Sequence, residues 1–199
     1  MNQIAEIILE KKIFEVNFRE RFRFASGKVF PFYCDNRILL SMPKEREIVV
    51  NALAKKIDEE KINFSTIAGI ATASIPWASM LAMKLSKPLI YVRKEEKSHG
   101  KQKRIEGRYN KNDKVLLIED LISTGGSALD AVQAIKNAGL EVEYCIGIFT
   151  YNMGNAIEKF SEIGVKLITL TNIEEVLDAA IKSGIVNSNQ RKEILQTLG

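Results

Sequence analysis

The sequence predicts an α/β fold: a central, mostly parallel sheet flanked by helices, with a small addition at the N-terminus. Three observations predict it. From residue 66 onward, short apolar runs alternate with longer runs of helical spacing. The short runs, such as "VLLIE" at 115–119, do not alternate apolar with polar, so each strand is buried on both faces. The first 45 residues break this pattern with aromatic β-formers around a turn.

Each element follows in order. Ile4, Ile7, Ile8 and Leu9 share one stripe, so residues 2–12 read as an amphipathic helix. "FRFASGKVFPFYCDNR" carries a Ser-Gly turn and a proline among aromatic residues and reads as two short strands around a turn. Pro43 opens a second helix, apolar at 48, 49, 53 and 57. "TIAGIAT" is then a strand, "IPWASMLAMKL" a helix and "PLIYV" a strand, followed by a charged loop and the strand "KVLLIE". "GSALDAVQAIKNAG" is a helix, apolar at 128, 131, 132, 135 and 138 and closed by Gly139. "EVEYCIGIFT", "GNAIEKFSEIG" and "KLITL" are strand, helix and strand, and the tail reads as two more helices. No repeat, low-complexity tract or linker divides the chain, so residues 1–199 read as one domain. Its N-terminal addition is mainly 1–45, its core about 46–171 and its C-terminal helices 172–199.

Composition narrows the function classes. Apolar residues make up 46% and charged residues 27%, which suits a soluble globular protein. No apolar run approaches the ~20 residues of a transmembrane helix. "MNQIAEIILEKKIF" breaks its apolar run with charges and is a poor signal peptide. Cys34 and Cys145 lie far apart with no CxxC and no nearby histidine, so two reduced thiols are expected, not a bridge or a zinc site. These features together point to the cytoplasm and away from membranes. The net charge of +4 is localised: residues 93–108 hold seven Lys or Arg and three Glu, and the rest of the chain is neutral. Such a field suits an anionic ligand. Nucleic acid fits less well, because no aromatics alternate with the basic residues.

The chemistry concentrates in "VLLIEDLISTGGSAL", residues 115–129. In open α/β sheets ligands sit beyond the carboxyl ends of the strands, which is where Glu119 and Asp120 fall. Ser123 to Ser127 then run into a helix N-terminus, whose free N–H groups attract anions. Gly125 and Gly126 let the backbone approach a phosphate closely, and Ser123, Thr124 and Ser127 add hydroxyl donors. Carboxylates for a vicinal diol beside a cradle for a phosphate describe a ribose 5-phosphate. No GxxxxGK[ST] sequence is present, so a nucleoside triphosphatase P-loop is disfavoured.

This stretch resembles the phosphoribosyl-pyrophosphate signature of the type I phosphoribosyltransferases. "YVRKEEKSHG", residues 91–100, resembles the segment before and within the mobile loop of the orotate branch, and "FASGKVFPFYCDNR", residues 24–37, resembles its N-terminal hood. The resemblance covers essentially the whole chain and implies the type I phosphoribosyltransferase fold. It implies transfer of ribose 5-phosphate from phosphoribosyl pyrophosphate to orotate, giving orotidine 5′-monophosphate and pyrophosphate, a step of pyrimidine (UMP) biosynthesis. By the same resemblance Glu119 and Asp120 hold the ribose hydroxyls. Ser123, Thr124, Gly125, Gly126 and Ser127 wrap the 5′-phosphate, and Leu121 and Ile122 belong to the same phosphoribosyl-pyrophosphate site. Arg93, Lys94, Lys97 and His99 meet the pyrophosphate, and the loop "GIATASIP", with Ala73 and Ser74, meets it through its backbone. Lys97, His99 and Asp120 would be catalytic. Ser26, Gly27, Tyr33 and Ser123 surround orotate. Mg²⁺ is implied as the cofactor, held mainly by substrate with no dedicated protein ligands. A homodimer is implied, with Lys97 and His99 of one subunit closing over its partner's site.

The residues agree with that chemistry. Loss of pyrophosphate leaves positive charge on the ribose and negative charge on the departing oxygens, which acids and a cationic loop stabilise respectively. His99, the only histidine, sits in a charged loop and not on an apolar face. The surplus charge at 95–108 predicts a mobile lid. Three positions depart from one branch of the family, which has Lys where this chain has Ala25 and Ala73, and Arg near Tyr151; Tyr151 is the residue offered to orotate there. Two other readings stand beside this one. A phosphoribosyltransferase for another base is disfavoured by the loop and the hood. A non-catalytic sensor on the same fold would need a DNA-binding appendage and would not be expected to keep Lys97 and His99.

Overall fold

A computed structural model describes residues 2–24, 27–94 and 104–198. The chain begins with α1 (Gln3–Glu10), capped by Asn2, whose Oδ1 accepts from the Ile4 N–H at 2.9 Å. Four short strands follow. β1 (Phe14–Val16) pairs antiparallel with β4 (Phe32–Cys34), and β2 (Phe22–Arg23) with β3 (Val29–Phe30). Only the β2–β3 turn matches the two-strand expectation; strands of two or three residues are too short to display a period. A 3-10 helix (Asn36–Ser41) leads into α2 (Pro43–Glu59), which starts at its proline as predicted.

The frame is a six-stranded sheet of β5 (Thr66–Ile70), β6 (Leu89–Val92), β7 (Ile105–Glu106), β8 (Lys114–Ile122), β9 (Glu141–Thr150) and β10 (Lys166–Asn172). Its order is β10-β9-β8-β5-β6-β7, and every pairing is parallel except that of β6 with β7. The helices α3 (Ser74–Leu85), α4 (Gly126–Asn137) and α5 (Ala156–Glu162) lie between successive strands, and α6 (Ile173–Lys182) and α7 (Ser188–Gln196) close the chain.

Both faces of the sheet are covered, as the unbroken apolar runs require. Along β8, Leu116 and Ile118 pack with α1, α2 and α3 through Ile8, Val49, Leu53 and Trp77. Val115 and Leu117 pack on the other face with Ala131, Val132 and Ile135 of α4 and Phe160 of α5. Each such fully buried aliphatic side chain contributes roughly 1.5–3 kcal/mol. Among the described residues no helix is long and apolar enough to cross a membrane.

Two features of the sheet differ from the sequence reading. The charged stretch does not stay a loop to its end: Ile105 pairs with Val92 and Glu106 with Tyr91, and Ile105 is buried. One apolar residue among charges gives no periodic signal. Residues 104–108 are thus held against the sheet, while 95–103, the rest of the expected lid, lie outside the described residues. β8 also runs to Ile122, past the two acids. It pairs with β5 only up to Ile118 but stays paired to β9 as far as Ile122. The acids therefore stand where β8 outruns its neighbour. The chain winds outward from β5 to β6 and then returns to the opposite side of β5 as β8, which makes this the switch point where α/β sheets bind ligands.

Candidate active site

The acids are fixed by the loop across the crevice. Ser74, the first residue of α3, is fully buried, and its hydroxyl donates to Glu119 Oε1. The same oxygen of Ser74 accepts from the Asp120 N–H at 3.1 Å, and Glu119 Oε1 accepts from that N–H at 3.0 Å. On the other side Asn36, 1% exposed, donates from Nδ2 to the Asp120 carbonyl at 2.7 Å. Its Oδ1 accepts from the Cys34 thiol at 3.5 Å. The backbone of Asp120 is thus held at both N–H and C=O, and its Oδ1 accepts a longer bond from the Ser74 hydroxyl at 3.5 Å.

The two carboxyls differ in character. Glu119 is 6% exposed, and burial first, then the adjacent Asp120 carboxyl, pushes its pKa well above the usual carboxylate range. Asp120 is only half-buried. Glu119 therefore serves as a buried support whose proton is held more tightly than usual, and Asp120 is the carboxyl that reaches the cavity wall.

Beyond the acids, Gly125 has φ +81° at the N-terminus of α4, a conformation that favours glycine, and a Cβ there would lie 3.1 Å from Phe160 Cε2. At Gly126 a Cβ would meet only Thr124 Oγ1, at 3.9 Å, so the absent side chain leaves the cradle open. No side chain caps this helix, so its first N–H groups face the cradle unspent. The cradle, lined by Leu121 to Ala128 with Glu119, has a volume of about 220 Å³.

It adjoins a larger cavity of about 520 Å³ that shares Glu119, Leu121, Ser123 and Ser127 with it. Opposite walls of that cavity are the 70–73 loop, which has a cis Ala71–Thr72 bond, and the hood residues Phe24, Tyr33 and Cys34. Ser123 donates its hydroxyl to Met153 Sδ at 3.6 Å.

The structure thus brings together Ala73, Ser74, Glu119, Asp120, the residues 121–127, Tyr33 and Tyr151. Tyr151 lines the cavity yet is 1% exposed, and its hydroxyl accepts from the Cys34 N–H at 2.8 Å. Burial pushes its phenol up, so it stays protonated. Tyr151 therefore ties the hood to the end of β9. Gly27 sits in the β2–β3 turn at φ +82°, outside the cavity lining. Arg93 follows β6 beside the loop, since the Ala71 N–H donates to the Val92 carbonyl, but its guanidinium is paired with Glu106 at 3.4 Å. Lys94 is exposed. Ser26, Lys97 and His99, with Ala25, lie outside the described residues.

Sequence reasoning missed Asn36, Asp35, Arg37 and Arg23, all of which line the cavity. The polar cluster "CDNR" directly after an aromatic strand was the available signal. Among the described residues no three His, Cys, Asp or Glu side chains gather as a metal site.

A switch-point crevice with paired carboxyls, an open helix N-terminus and an aromatic wall defines a protein of the class that handles a phosphorylated sugar and an aromatic partner. A family model for the phosphoribosyl transferase domain matches residues 40–183. Orotate phosphoribosyltransferase of Coxiella burnetii is 38% identical over 98% of this chain and 95% of its own. That of Listeria monocytogenes is 42% identical over 96% of this chain and 92% of its own. The crystal structure of orotate phosphoribosyltransferase from Aeropyrum pernix superposes with a TM-score of 0.80 at 28% identity, covering 93% of this chain and 100% of that one. The chain belongs to the orotate phosphoribosyltransferase family of type I phosphoribosyltransferases.

Proposed function

We propose that the protein transfers the 5-phosphoribosyl group of phosphoribosyl pyrophosphate to orotate, yielding orotidine 5′-monophosphate and pyrophosphate in pyrimidine biosynthesis. The observation that carries this reading is the contiguity of cradle, acids, loop and hood around one crevice. The 5′-phosphate takes the open N–H groups and hydroxyls of residues 123–127. The ribose lies against Asp120, and the diphosphate extends toward Ala73 and the basic segment that starts at Arg93. The base lies between the hood and the end of β8, beside Tyr33.

In the reaction the bond from ribose C1 to the diphosphate oxygen breaks as a bond to the orotate ring nitrogen forms; the proton that this nitrogen loses and the pyrophosphate that carries the C–O electron pair both leave. Asp120 stabilises the cationic ribose, and the bonds from Ser74 and Asn36 keep it in place without reorganisation. Lys97 and His99 are assigned to the departing pyrophosphate. Of the carboxyls lining the cavity, Asp35 is engaged by Arg37 and Glu119 is buried beneath Asp120, and no three metal-ligating side chains gather among the described residues; this donor set fits Mg²⁺ carried mainly by substrate oxygens and water. When bound, the ion neutralises diphosphate charge. The working unit is a homodimer in the cytoplasm.

The test is direct. Orotate absorbance should fall when the protein meets orotate, phosphoribosyl pyrophosphate and Mg²⁺, and pyrophosphate should appear in equal amount. Consumption of a different base with orotate left intact would assign the protein to another branch.

A further inference from the structure

The positions where one branch of the family places cations near the base are Ala25, Ala73 and Tyr151 here, which leaves the carboxylate of an anionic base without an evident partner. The cavity contains two cations among the described residues, Arg23 and Arg37. They are held very differently. Arg23 reaches back along the hood, donating from Nη1 to the Gly27 carbonyl at 3.3 Å, within its own turn.

Arg37 is fixed from the side. Asp35 Oδ1 accepts from its Nε at 2.6 Å and Oδ2 from its Nη2 at 2.7 Å, a two-point fork that sets the plane of the guanidinium. Nη2 also donates to the Tyr33 hydroxyl at 3.4 Å. Asp35 is held in turn, because its Oδ1 accepts from the Arg37 N–H at 3.1 Å and caps the 3-10 helix. The neighbouring residue, Asn36, is bonded to the Asp120 carbonyl, so this cluster stands beside the acid on the hood wall of the same cavity. Nη1 has no partner among the described residues, and the side chain remains 57% exposed.

We propose that Arg37 is the specificity-determining residue for the base, presenting Nη1 to its carboxylate, with Asp35 as the positioning residue that holds the guanidinium ready. The assignment rests on the reading of the protein as an orotate enzyme. Asp35 offsets part of the positive charge, so the gain comes from orientation: the donor is aimed before any ligand arrives, and little side-chain freedom is lost on binding. A base lacking the carboxylate gains nothing from this donor, so discrimination arises at the same point.

The experiment compares binding of orotidine 5′-monophosphate with that of uridine 5′-monophosphate, the same nucleotide without the carboxylate, by titration calorimetry on the full chain. Wild-type protein should prefer the carboxylated nucleotide. Arg37→Gln should cut that preference by about 10- to 100-fold, the range for a hydrogen bond to a charged group, while uridine 5′-monophosphate binds as before. Arg37→Lys should restore part of the preference, because charge returns without the fork, and Asp35→Asn should show an intermediate loss. Arg23→Gln should leave the preference intact. A preference retained in Arg37→Gln overturns the proposal, as does an equal loss for both nucleotides, which marks a structural role. Transfer of the effect to Arg23→Gln overturns it as well. Absence of any preference in wild-type protein counts instead against the orotate reading itself.

Discussion

Asp120 and Glu119 are neighbours in one strand, yet the structure sets them in different surroundings, Glu119 buried and Asp120 at the cavity wall. Asp120 keeps its conformation through bonds to its backbone, so Asp120→Asn should fold normally. It should still lose about 10²–10³ in kcat, the usual effect of removing one preorganised electrostatic group. Full turnover by a folded variant, measured by orotate consumption, would remove the role. Glu119 makes a prediction about pH. Its folded pKa lies above its unfolded value, so the folded state holds a proton that the unfolded chain releases. The resulting stability is fully present below the ordinary carboxyl pKa of about 4.3 and is lost as pH rises through the raised folded value. Glu119→Gln carries no such proton. The gap in unfolding midpoint between wild type and Glu119→Gln should therefore move against wild type as pH rises, by thermal melts in matched buffers. A gap that moves toward wild type would show that the buried group is stabilised as an anion.

At the scale of elements, the decisive arrangement is the seating of the hood on the sheet. β2, β3 and β4 are too short to hold themselves in water. They are held by an aromatic cluster in which Phe24 and Phe32 lie 5.5 and 5.2 Å, ring centre to ring centre, from Tyr151. One buried polar bond, from the Cys34 N–H to the Tyr151 hydroxyl, sets the register of that contact. Tyr151→Phe keeps the ring and removes the acceptor, leaving a buried N–H unpaired. The expected cost is about 1–3 kcal/mol. In a chain of this length that is roughly a 2–4 °C fall in Tm per kcal/mol, read by calorimetry. An unchanged Tm with a weakened affinity for orotate would instead make Tyr151 a direct contact to the base.

At the scale of the whole molecule, the proposed homodimer makes a prediction that no single subunit can. Lys97 is assigned to the partner's site and Asp120 to its own. Inactive Lys97→Ala and inactive Asp120→Asn chains, mixed and allowed to exchange, should then regain about a quarter of wild-type activity. Half the dimers are mixed, and each of those has one intact site, for independent sites and closed two-fold pairing. If the loop serves its own subunit, every site keeps one defect and mixing restores nothing. Exchange verified by mass spectrometry with no recovered activity would overturn the shared site and leave the chemistry of Asp120 untouched.

The sequence by itself determined the order of helices and strands from residue 66 onward except for the short strand at Ile105–Glu106, the double burial of the sheet, and the signature at 115–129. Those signals are local: an unbroken apolar run, a 3.6-residue period and a Gly-Gly turn each act through neighbours in the chain. Tertiary structure alone decided that Asn36 grips Asp120 from 84 residues away and that Ser74 holds Glu119 from 45. It also turned Tyr151 into an anchor for the hood and folded Ile105 back onto the sheet edge. A single polar residue, or one apolar residue among charges, carries no periodic trace of its partner. Its role is set by where distant elements meet, and burial there makes every unpaired polar group costly enough to select that one arrangement.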